Sequence, residues 1–66
     1  MSQMKISEMT REELRDHMVN TGRFNRKDSE VREWQRAFEL ARAAGMGELD
    51  MGCTKCWDKV EKFMKK

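Results

Sequence analysis

Apolar residues along this chain recur in three separated sets, each at helical spacing. Leu14 and Met18 stand one turn apart, and Val31, Trp34, Phe38 and Ala41 fall at i, i+3, i+7 and i+10. Cys53, Cys56/Trp57, Val60 and Phe63/Met64 follow the same period. Such spacing gathers apolar side chains on one face of an α-helix. The β-branched residues are scattered, and no run alternates apolar and polar positions as a half-buried strand would. The absence of proline also favours helix over sheet.

Local signals mark the helix ends. Thr10 and Glu13 have the spacing of a capping box, in which the threonine side chain accepts from the N3 amide and the glutamate reaches back to the threonine amide. Met9 and Leu14 are placed for the accompanying hydrophobic staple, and Asn20-Thr21-Gly22 stops the helix, which is predicted over 10–20. The second helix is predicted over 28–44. Asp28 or Ser29 caps it, Glu30 suits its positive end, and Gly45-Met46-Gly47 ends it. Ala37, Leu40 and Ala44 widen its stripe, and Ala37, Ala41, Ala43 and Ala44 leave room for a neighbouring helix. The third is predicted over 52–65, with lysines crowding the C-terminal half where cations complement the dipole. The short connector 46–51 makes helices two and three antiparallel neighbours, with Leu49 and Met51 tucked under the bundle. The expected fold is all-α: a compact three-helix bundle forming one domain over 1–66.

Length limits what such a bundle can enclose. A chain of 66 residues buries only about 60% of its unfolded surface, which leaves one thin core and no deep cavity within a single chain. No apolar run approaches the roughly 18 residues of a membrane span, so no membrane partner is expected. Met1-Ser2-Gln3-Met4-Lys5 opens no apolar stretch of the secretory type. Both cysteines sit in one Cys-x-x-Cys instead of bridging distant segments, and a reducing, cytoplasmic setting is expected.

The net charge of +2 is too balanced to define a partner, but its distribution is uneven. Residues 23–27 carry +3, residues 55–66 carry +3 and residues 33–50 carry −2. Basic segments around a mildly acidic middle steer an acidic partner electrostatically. Solvated helix faces produce the same pattern.

Cys53-Thr54-Lys55-Cys56 is the motif with the most chemistry. The main expectation is that both thiols face the core as small apolar groups. Two others stay open. At a helix N-terminus beside Lys55, the pair is also the pattern of a reactive dithiol, although no strand precedes it as in thioredoxin-like proteins. It also supplies two of the four ligands of a zinc site, with His17 as a third or a second chain completing a Cys₄ site. No resident cofactor is otherwise expected. His17 is the only histidine; its main expected role is a local hydrogen bond at the solvent edge, with Glu13 one turn before it. No nucleophile–base pair and no phosphate-binding glycine loop is present, so no enzymatic activity is expected.

Binding residues are expected elsewhere. Arg23, Phe24, Asn25, Arg26 and Lys27 form a basic segment with one aromatic, suited to phosphates through its cations and to stacking through Phe24. Trp34 and Trp57 lie on the apolar stripes, as central core residues or at the rim of an interface. Seven methionines are many for this length, and Met46 and Met51 lie off the main stripes, where methionine adapts to partner surfaces. Trp34, Phe24, Met46 and Met51 are the expected apolar contacts, with Arg23, Arg26 and Lys27 steering.

Segment 5–30, with Ile6, Met9, Leu14, Gly22 and the basic run after it, resembles the opening of SAP-type helix-extended-helix DNA-binding motifs. Over 10–63, a second resemblance is carried by Thr10-Arg11-Glu12-Glu13-Leu14, Trp34, Ala37-Phe38-Glu39-Leu40 and Gly52-Cys53-Thr54-Lys55-Cys56 with Val60 after it. This order is similar to small orphan proteins of tailed bacteriophages, which often carry a Phe-x-Leu helix, a glycine turn and a C-terminal Cys-x-x-Cys. That resemblance implies a viral origin. A chain with so thin a core gains from laying an amphipathic helix or methionine-rich surface on a partner, and the expected function is a non-enzymatic interaction protein that binds and modulates a host protein. The alternatives are a nucleic-acid-binding helical module using 23–27 and the C-terminal lysines, or a small virion component. Self-association is also open.

Overall fold

The computed structural model of the protein describes residues 5–25 and 31–66, with Val31 described by its backbone only. A short 3₁₀ turn, Ile6–Glu8, leads into three α-helices: α1 (Arg11–Thr21), α2 (Val31–Ala43) and α3 (Thr54–Lys65). The described residues contain no strand, and the architecture is the expected all-α three-helix bundle. Each helix packs against the other two, and the 3₁₀ turn lies on α2.

Thr10 and Glu13 form the capping box that opens α1. The Glu13 amide donates to Thr10 Oγ1 at 3.3 Å, and the Thr10 amide donates to Glu13 Oε1 at 3.2 Å. Gly22 closes the helix at φ 73°, a left-handed conformation that a side chain would strain. The next amide, Arg23 N–H, then turns back to the Met18 carbonyl at 2.9 Å. The expected second-helix caps Asp28 and Ser29, and Glu30, lie outside the described residues, as does the side chain of Val31. The helix ends at Ala43, so Ala43 and Ala44 stand exposed and neither widens the stripe nor receives a neighbour. The third helix begins two residues later than its expected start, with Cys53 at the N-cap.

Among the described residues, eight side chains are fully buried: Leu14 and Met18 from α1, Trp34, Ala37, Phe38 and Ala41 from α2, and Val60 and Met64 from α3. Leu49 and Met51 of the second connector are half-buried against this core, together with Ile6, Met9 and Met46. Trp57 sits at its edge, its ring 4.7 Å from Trp34 and 5.3 Å from Phe38 between centroids. Burying these side chains is the main source of stability in so small a bundle.

Two arginines lace the periphery. Arg36 donates through Nε and Nη2 to the Met9 carbonyl at 3.1 and 3.0 Å, fixing the N-terminal segment on α2. Arg11 donates to the Phe63 carbonyl at 3.3 Å and lies over the Phe63 ring, joining the start of α1 to the end of α3.

Candidate functional site

Because the core consumes most of the apolar stripes, several expected contact residues are not at the surface. Trp34 is fully buried, its indole N–H donating to the Arg23 carbonyl at 3.0 Å. It is a core residue and presents nothing to a partner, which corrects its place among the contacts. Phe24 is half-buried, edge-on to Trp34 with Lys65 over its ring. Met46 and Met51 are half-buried against the core and keep some exposure. Arg26 and Lys27 lie outside the described residues.

Arg23 faces inward. Its Nε stands 3.8 Å from Glu33 Oε1, and His17 Nε2 approaches the same oxygen at 3.4 Å. Glu33 is 4% exposed, and its second oxygen accepts no hydrogen bond. The expected local hydrogen bond of His17 is therefore replaced by a contact across helices. Sequence reasoning left Glu33 among solvated acids. The signal for its burial is its register: Glu33, Ala37 and Ala41 lie at i, i+4 and i+8 on one face.

Cys53 and Cys56 are free thiols, each half-exposed, and both line an open depression with Arg42, Glu48, Leu49 and Asp50. Cys56 also packs on the core, whereas Cys53 at the N-cap does not share in it, so the expectation of two core thiols holds for one of them. The Cys56 amide, the Cys56 thiol and the Lys55 amide hold the Cys53 thiol below its ordinary value, against the opposing effects of partial burial and the Asp50 charge. Since the sulfur makes no capping hydrogen bond of standard geometry, the amides act on it as oriented dipoles at the positive end of α3. His17 lines a different depression, beside Lys5, Met9 and Arg32, and is not brought to the thiols. Among the described residues no three His, Cys, Asp or Glu side chains gather to hold a metal ion.

The solvent face of α3 carries the most ordered charge. Lys55, Lys59 and Lys62 fall at i, i+4 and i+7 on the helix, Lys66 follows at its C-cap four residues on, and all four are exposed. At 1.5 Å per residue they form a row about 16 Å long. No ion pair between described residues engages them, whereas Lys65 on the adjoining face bonds Glu61 at 2.9 Å. Sequence reasoning counted these lysines as a local charge; helical register makes them a line.

The fold and surface define a small three-helix bundle with a basic helix face and shallow depressions open to solvent. Comparison with family models, curated proteins and solved structures finds no match. No helix among the described residues is long and apolar enough to cross a membrane.

Proposed function

We propose that this protein is a non-enzymatic binding protein whose working surface is the lysine row of α3, and that its partner is a nucleic acid held by its phosphates. The supporting observation is the row itself: four exposed lysines at helical register, without ion pairs to described residues. A line of cations spaced by one helical turn neutralises successive phosphates and releases their counterions. No exposed aromatic lies in the row to stack on bases, since Phe24 and Phe63 are both half-buried beneath cations. Binding of this kind positions a strand without reading its sequence.

A second reading rests on the second connector. Met46, Leu49 and Met51 are half-exposed together, and such flexible apolar side chains suit a protein partner. On that reading the chain is bacteriophage-encoded and modulates a host protein. Fluorescence anisotropy with labelled oligonucleotides separates the two. The nucleic-acid reading expects binding by the native chain and marked weakening in the Lys59→Gln/Lys62→Gln variant. Absence of binding at low salt overturns it.

A further inference from the structure

The two helices whose N-terminal turns are described in full place a pair of functional side chains at the same two positions, with different chemistry. In α1 the N-cap and N3 positions are Thr10 and Glu13, and their side chains and amides bond reciprocally over the first turn. In α3 the same two positions are Cys53 and Cys56. The N-cap/N3 relationship brings two side chains together over the same turn. Here the Cys56 amide donates to the Cys53 carbonyl at 3.1 Å, and both thiols line the same depression. Residues three apart on a turn lie within the Cα separation that a disulfide spans.

The frame around the pair is fixed on both sides. Asp50 accepts the Gly52 amide on its carboxylate at 2.9 Å and the Cys53 amide on its carbonyl at 3.0 Å, which sets the entry of the chain. Cys53 O accepts from the amides of Cys56 at 3.1 Å and Trp57 at 3.2 Å, closing the first turn. The Trp57 indole N–H donates to the Met51 carbonyl and ties the helix to its connector. The thiols therefore keep their mutual placement while both remain open to solvent through the depression lined by Glu48 and Asp50. A bundle with only structural thiols has no need to put one at an exposed N-cap, where serine, threonine or aspartate caps better.

We propose that Cys53 and Cys56 form a dithiol–disulfide pair that exchanges with low-molecular-weight disulfides, Cys53 attacking and Cys56 resolving. The Cys53 thiolate attacks one sulfur of the disulfide R–S–S–R. A bond forms between Cys53 Sγ and that sulfur, and one R–S⁻ leaves. Cys56, after losing its proton to water, attacks Cys53 Sγ, forms the internal disulfide and expels the second R–S⁻. The protein loses two electrons and two protons, and the external disulfide becomes two thiols. Cys56, packed partly on the core, suits the second, intramolecular step.

The test uses the reduced full chain with glutathione disulfide, followed by intact mass after acid quenching. The native chain is expected to lose two hydrogens and carry no lasting adduct. The Cys56→Ser variant is expected to accumulate a glutathione adduct on Cys53. The Cys53→Ser variant is expected to react several-fold more slowly; serine is a good N-cap, so the helix start is retained. Equal rates for the two variants, a persistent adduct on the native chain, or stoichiometric zinc shielding both thiols in protein purified without chelator overturns the proposal.

Discussion

Trp34 and Trp57 meet with ring centroids 4.7 Å apart and planes inclined at 53°. Each indole N–H donates to the carbonyl of a different connector, Trp34 to Arg23 and Trp57 to Met51. One aromatic pair therefore binds both interhelical segments to the core. The pair joins α2 to α3, with Phe38 packed edge-on against the same Trp57 ring.

Replacing Trp34 with Phe removes the bond to Arg23 and part of a fully buried ring. A loss of roughly 2 kcal/mol is expected, with Trp57→Phe costing about 1 kcal/mol because that ring lies at the core edge. Urea unfolding followed by circular dichroism measures both. A larger loss at Trp57 than at Trp34 contradicts this ranking.

Glu33 is a nearly buried carboxylate between His17 and Arg23. Its second oxygen lacks a hydrogen bond, so a similar-sized apolar side chain in its place gives up little. Glu33→Met is expected to leave stability unchanged or raise it. Arg23→Met removes one of the two groups that face the carboxylate and is expected to cost about 1–3 kcal/mol. Thermal unfolding of the two variants checks the asymmetry; equal losses count against it.

Much of this fold is legible in the sequence. The Thr10/Glu13 box, the Gly22 stop and the stripes through Leu14, Trp34, Phe38 and Val60 are local patterns with local causes, and each appears where the spacing put it. Tertiary choices were less legible. A period places Trp34 on an apolar face but does not say whether that face meets another helix or a partner. Glu33 shares the register of Ala37 and Ala41 yet reads as a surface acid, because the groups opposite it come from α1 and the loop after it. Ala44 drops out of the stripe since the helix unwinds before Gly45, whose φ is 93°. At the candidate surfaces the lysines were visible as composition, and only the helix turned them into a row.

Asp50 opposes ionisation of Cys53 through its charge. Asp50→Asn keeps an oxygen for the Gly52 amide and removes that charge, so the Cys53 thiolate forms at lower pH. Iodoacetamide labelling across a pH series is expected to shift to lower pH in this variant. The native Cys53 should in turn label at lower pH than an ordinary thiol. A shift upward contradicts the assignment.

Thr10→Ala deletes the hydroxyl that accepts the Glu13 amide and leaves the Thr10 carbonyl bond to Leu14 intact. Loss of about 1 kcal/mol is expected from urea unfolding, without change in oligonucleotide binding, because the cap lies on α1 and not on the lysine row. Weakened binding at full folding places the working surface elsewhere.

The salt dependence of oligonucleotide binding tests the central claim most directly. Four lysines that each neutralise a phosphate give a slope of about −3 for log association constant against log salt on a single strand. The Lys59→Gln/Lys62→Gln variant should roughly halve that slope while keeping its helical spectrum. A slope near zero, or one that the double substitution leaves unchanged, contradicts the assignment of the α3 row as the binding surface.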